Sequence, residues 1–213
     1  GLLDLDLAAA IRGNARARER GLVDADGGVR AYTIMRDALQ ATLRDARVCV
    51  VDCTSSQIVT DKYASWLERG WNVATANKKG NSGDFSYYKR CVEATKSPDG
   101  GKWFVEATIG AGLPTVSTLR TLVATGDEVE SVQGIFSGTM SFLFNTWDGE
   151  SAFSETVAMA KAAGYTEPDP REDLNGLDVA RKVVIAAREC GLSISLDDVR
   201  VESLVPSELC LLY

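Results

Sequence analysis

The stretch "RVCVVDCTSSQIVTDKYASWLERGWNVATANKKG", Arg47–Gly80, decides the fold. "RVCVVDC" is a near-continuous apolar run of strand length, the pattern of a strand buried on both faces. "TDKYASWLERG" follows with helical spacing and stops at Gly70, where a glycine can take the left-handed backbone that ends a helix. "WNVATAN" is a second strand. Two strands joined through a helix by short links predict a parallel sheet.

Working outward, "YTIMRDALQATLRD" (Tyr32–Asp45) has the spacing of a helix before the first strand. "SGDFSYYKRCVEATK" predicts a further helix and "KWFVEATIG" a further strand. After Pro114, "TVSTLRTLVATG" predicts a helix, "EVESVQGIFSG" a strand and "TMSFLFNTW" a helix. "FSETVAMAKAAG" and "GLDVARKVVIAAREC" predict helices stopped by Gly164 and Gly191. The expected fold class is α/β, with residues 1–113 and 114–213 as two domains.

Composition narrows the chemistry. The 213 residues carry a net charge of −7, which gives nucleic-acid binding no electrostatic support. No apolar run approaches the roughly 20 residues that span a bilayer, and "GLLDLDLAAA" lacks the basic opening of a signal peptide. The expected setting is therefore intracellular, with no nucleic acid or membrane as partner. Five cysteines show no disulfide spacing, which favours a reducing compartment. Cys49 and Cys53 suit small core positions better than ligand positions. Histidine is absent, which removes Ser-His-Asp triads and histidine-bound zinc. Acid–base work falls to Lys, Asp, Glu, Tyr or Cys.

"GYTEPDPREDLNGLDVARK" (Gly164–Lys182) concentrates such groups. Asp178 and Lys182 are four residues apart and share a helix face, while Leu177, Ala180, Val183, Val184 and Ala187 face the core. An exposed pair of this kind contributes about 0.3–0.5 kcal/mol and no function. Pro168 and Pro170, however, stiffen the loop and hold Glu167 and Asp173 near the helix start. Carboxylates gathered round a lysine suit a substrate with an ammonium group, the lysine trading a proton with a reacting oxygen.

Three other segments end at places where α/β proteins bind ligands. "DCTSS" (Asp52–Ser56) ends the first strand; Thr54 either caps the next helix or lets a cofactor approach. "ANKKG" (Ala76–Gly80) ends the second strand, where Lys78 is a solvated charge unless something anionic stands opposite. "EATIGAGLP" (Glu106–Pro114) is either a tight turn or a carboxylate with carbonyls round a hard cation, and chemistry alone favours the turn. No G-x-G-x-x-G and no Tyr-x-x-x-Lys is present.

Taken in order, "VVDCTSS", "ATANKKGNS", "FVEATIGAGLPT", "GIFSGTMSFLFN" and "GYTEPDPREDLNGLDVARKVVIAAR" resemble homoserine dehydrogenase, in stand-alone forms and in forms fused behind aspartate kinase. The resemblance runs from about Leu3 to Pro206. It implies a Rossmann-type nucleotide domain followed by an α/β catalytic and dimerisation domain, and a homodimer when complete. It implies interconversion of L-aspartate 4-semialdehyde and L-homoserine with NADP or NAD, in the cytoplasm or a plastid. Lys182 then protonates the aldehyde oxygen, Asp178 and Glu167 bind substrate, Asp173 lies in the same site, and Lys78 stands between nicotinamide and substrate. Thr54, Ser55, Lys78 and Gly164 match cofactor-contacting positions. Glu106, with the carbonyls of Ile109, Ala111 and Leu113, matches a site for Na⁺ or K⁺, against the plain-turn reading. The family's opening strand, Gly-rich turn and closing strands are not matched. The resemblance therefore implies an internal fragment, inactive as it stands, and its rival is a truncated remnant serving as a dimerisation module.

Overall fold

Strands β1 (Cys49–Asp52), β2 (Asn72–Thr75) and β3 (Trp103–Phe104) lie parallel and side by side in that order in a computed structural model, which describes residues 48–166 and 169–205. Helices α1 (Gln57–Thr60) and α2 (Tyr63–Leu67) connect β1 to β2, and α3 (Lys79–Ser82) and α4 (Phe85–Lys96) connect β2 to β3. This is the parallel α/β order expected from Arg47–Gly80. The predicted helix at Tyr32–Asp45 lies outside the described residues.

The two sheet faces differ. Val50, Val73 and Trp103 are in register, and Val73 and Trp103 are buried with Tyr63, Trp66, Leu67 and Cys91. Val51, Ala74 and Phe104 form the opposite row, where Val51 is 68% exposed. The apolar run of β1 is thus buried on one face, not two. Cys49 and Cys53 are exposed for the same reason, since both stand with the outward positions of β1. Gly80 brings α3 against this core: an added Cβ would lie 2.8 Å from the Tyr63 ring.

Two predicted elements change form. The helix predicted over "TDKYASWLERG" is shortened to α2 and follows the separate turn α1, in which the Thr60 hydroxyl donates to the Gln57 carbonyl and which Asp61 closes. The strand predicted over "KWFVEATIG" ends at Phe104 and gives way to a 3₁₀ turn, Glu106–Thr108. Glu106 is drawn aside because both its carboxylate oxygens accept amide hydrogen bonds from the next helix.

That helix is α5 (Thr115–Ala124), followed by α6 (Gly138–Thr146), α7 (Phe153–Ala162), α8 (Pro170–Leu174) and α9 (Leu177–Glu189). All but the short α8 match predicted helices. "EVESVQGIFSG" forms no strand, because no described segment pairs with it. Leu143, Ala160 and Leu174 form a second small core with Phe142, Phe153, Val157 and Val205. On α9, Ala180, Val184, Ile185 and Ala186 are buried, whereas Leu177, expected in the core, is exposed.

Candidate active site

The loop after β2, at the start of α3, and the first turn of α9 meet at one carboxylate. Asp178 Oδ1 lies 3.2 Å from Lys78 Nζ, and Asp178 Oδ2 lies 2.7 Å from Lys182 Nζ. Lys182 is 17% exposed and Lys78 28%, with Asp178 at 45%, so the cluster is half-buried. Burial opposes ionisation of Asp178, but the hydrogen bond and charge of Lys182, with those of Lys78, outweigh it. Its carboxyl is held below the ordinary aspartate range. Lys182 Nζ also donates to the Phe136 carbonyl at 2.6 Å. An ammonium has three protons, and among the described residues these two acceptors account for two of them. One donor direction is left for a substrate oxygen.

The N-terminus of α6 closes the next side. Ser137 caps it by accepting from the Met140 amide, directly after the carbonyl that receives Lys182. Thr139 Oγ1 shares its proton between the Tyr165 carbonyl at 2.8 Å and Asp173 Oδ1 at 3.1 Å. Asp173 is thereby fixed at the end of α6 that also holds Lys182. Glu167, the expected partner of a substrate ammonium, lies outside the described residues. Gly164 ends α7 with φ of 77°: its amide bonds to Lys161 O and that of Tyr165 to Ala160 O. A helix-ending left-handed position is sufficient reason for glycine there.

A buried network sets the loop that carries Lys78. The Asp52 carboxylate, 3% exposed, accepts from the Tyr63 hydroxyl, from the Thr54 amide at 2.8 Å and from Asn77 Nδ2 at 3.1 Å. These hydrogen bonds outweigh burial and hold the Asp52 carboxyl below its usual range, while burial and Asp52 push the Tyr63 hydroxyl far up. Asn77 Nδ2 reaches the Ser56 carbonyl as well, so the loops after β1 and β2 are tied together. Composition and spacing gave no sign of Asp52, Tyr63 or Asn77 as site scaffolding; only the sheet register brings them together.

Thr54 and Ser55 are exposed at the carboxyl end of β1. Thr54 does not cap α1: Ser56 holds that position, and Thr54 Oγ1 instead accepts the Ser56 amide at 3.1 Å. Exposed hydroxyls on a braced loop at the carboxyl end of a parallel strand are donors of the kind that can face a dinucleotide. At the 106–113 turn, Glu106 accepts from the Val116 and Ser117 amides at 2.8 and 3.0 Å, and the Leu113 carbonyl accepts from the Thr115 amide. Gly110 and Ala111 have φ of 76° and 52°. Both Glu106 oxygens and the Leu113 carbonyl are thus already engaged by amides at the start of α5.

Comparison with known proteins identifies the family. A family model described as "Homoserine dehydrogenase, NAD binding domain" matches residues 3–106, and one described as "Homoserine dehydrogenase" matches residues 114–209. A chloroplastic bifunctional aspartokinase/homoserine dehydrogenase of Zea mays is 52% identical over 75% of this chain and 17% of its own length. A homoserine dehydrogenase of Emericella nidulans is 51% identical over 76% of this chain and 46% of its own. A crystal structure of a Candida auris protein of unknown function superimposes with a TM-score of 0.76 at 43% identity, over 83% of this chain and 51% of that one. The chain spans about half the length of the stand-alone relative and about a sixth of the bifunctional one. With both models matched in sequence along its length, the chain belongs to the homoserine dehydrogenase family.

Proposed function

We propose that the full-length protein interconverts L-aspartate 4-semialdehyde and L-homoserine with NADP or NAD. The observation that carries this reading is the Asp178 carboxylate set between the ammoniums of Lys78 and Lys182. A bound nicotinamide supplies or accepts the hydride. Lys182, anchored by Asp178 and the Phe136 carbonyl, offers its remaining proton to the carbonyl oxygen as that oxygen gains charge. Asp178 orients Lys182, and Lys78 adds positive potential on the cofactor side. Asp173 and Glu167 serve the substrate ammonium, a charge-assisted contact that selects an amino acid over a plain aldehyde. Thr54, Ser55 and Gly164 stand at the cofactor positions. Glu106 with the Ile109, Ala111 and Leu113 carbonyls forms the Na⁺ or K⁺ site.

The same reading divides the protein into a nucleotide domain up to residue 113 and a catalytic domain after it. It also gives a homodimer, supported by the apolar Ile135 side chain, 78% exposed on a segment that pairs with no described strand. A compartment in the cytoplasm or a plastid agrees with Cys49, Cys53, Cys91 and Cys190 all being free thiols. Among the described residues no helix is long and apolar enough to cross a membrane. The test is oxidation of NADPH by the full-length protein on addition of aspartate 4-semialdehyde. Turnover that also requires the α-amino group of the substrate supports the reading; absence of turnover contradicts it.

A further inference from the structure

Arg188 lies on α9 ten residues beyond Asp178 and is 4% exposed. Its Nη1 donates to the Asn81 carbonyl at 2.9 Å, its Nη2 to the Gly83 carbonyl at 2.7 Å and its Nε to the Ile194 carbonyl at 2.9 Å. The guanidinium is held against the rings of Phe85 and Tyr88, 5.3 and 4.9 Å from their centroids. Among the described residues no carboxylate forms an ion pair with it. Asp84 acts on it only through its charge; a buried cation without a direct ion pair is costly, and hydrophobic packing would fill the same space more cheaply. What the guanidinium supplies instead is geometry: a planar fork that joins two elements at once.

The elements it joins are those of the active site. Residues 78–83 run from Lys78 through α3, and Asn81 and Gly83 present the carbonyls that α3 leaves unbonded at its end. Asp178, Arg181 and Arg188 lie on one face of α9. Asp178 meets Lys78, Arg181 Nη1 reaches Ser82 Oγ at 3.5 Å, and Arg188 holds Asn81 and Gly83. The Arg181 contact is long, so Arg188 is the firm end of this docking.

We propose that Arg188 is a positioning residue which, by fixing the end of α3 to α9, sets Lys78 against Asp178. The proposal deepens the dehydrogenase reading and rests on it for its catalytic consequence. Arg188 touches neither Lys78 nor Lys182, so its effect travels through the α3 backbone. Displacements of about 1 Å in such a constellation can cost about 100-fold in rate.

The test uses Arg188→Lys, which keeps the charge but loses the fork, and Arg188→Met, in the full-length protein with and without Lys78→Ala. The charged groups facing Asp178 are Lys78 from the loop after β2 and Lys182 from α9 itself. Releasing Lys78 must therefore raise the Asp178 carboxyl titration, read by ¹³C NMR without any turnover. The expected result is that upward shift, with a loss of about 10–100-fold in kcat. In the Lys78→Ala background, Arg188→Lys should cost little more. An unmoved Asp178 titration, or losses that multiply in the double variant, overturns the proposal. A moved titration in a protein without dehydrogenase turnover would keep the clamp and reject the activity. Should Arg188→Met not fold, Tyr88→Leu loosens the same guanidinium and carries the same readouts.

Discussion

Lys78 Nζ stands 3.2 Å from Asp178 Oδ1, which joins the end of the nucleotide-type sheet to the first turn of α9. The carboxylate's other oxygen holds Lys182 at 2.7 Å. Two cations converge on one anion, and in the proposed reaction their excess positive charge would stabilise the aldehyde oxygen as it becomes an alkoxide. Preorganised charge of this kind needs no rearrangement when the reaction begins.

The first prediction concerns pH. Because the folded-state pKa of Asp178 is depressed, its contribution to stability is present above the unfolded value and lost as pH falls through the folded one. Asp178→Asn should lower Tm near neutrality, and the gap to wild type should close below the ordinary aspartate range of about 3.9. Thermal unfolding across that range checks it. A gap that does not change with pH would mean that the carboxylate charge is not what stabilises the site.

A second prediction concerns the strand-end network. Tyr63→Phe removes the hydroxyl that donates to Asp52 and lies 2.9 Å from Thr75 Oγ1. Asp52 is buried, so losing one donor should cost about 1–3 kcal/mol. For a chain of this size that is a fall of several degrees in Tm, at about 2–4 °C per kcal/mol. Unchanged Tm would show that Thr54 and Asn77 satisfy the carboxylate by themselves.

How much of this was legible in the sequence depended on the range of the interactions. The α/β order was readable because Val50, Val51, Val73 and the helices after them carry local periodicity, and Gly70 and Gly164 mark helix ends. The pairing of Asp178 with Lys182 followed from helical spacing. Lys78 opposite Asp178, Asn77 on Asp52 and Arg188 on Gly83 were not legible from spacing, because tertiary packing alone makes them neighbours. The strand predicted over "EVESVQGIFSG" fails because alternation specifies a strand only where a partner supplies the ladder. The two-faced burial predicted for β1 fails because Val51 lies on the sheet's outward row.

A third prediction concerns the 106–113 turn. Replacing Na⁺ and K⁺ by a bulky organic cation should lower turnover of the full-length enzyme, and either metal ion should restore it. Glu106→Gln should weaken that activation and, by loosening its hold on the Val116 and Ser117 amides, cost about 0.5–2 kcal/mol of stability. Equal rates in both buffers would leave Glu106 with its helix-end role only.

A fourth concerns substrate capture. Glu167→Gln should raise KM for homoserine more than KM for the dinucleotide, since only the substrate carries the ammonium. Equal rises in both constants would assign Glu167 to the fold rather than to the substrate.

The central claim is that Lys182 is the proton donor, and the most direct measurement is kcat of Lys182→Ala beside its Kd for NADPH. A proton donor at this position makes the expected loss about 10²–10⁴-fold in kcat, with NADPH binding nearly unchanged. A variant that keeps more than about half of wild-type turnover, where general acid catalysis requires that far larger loss, would contradict it.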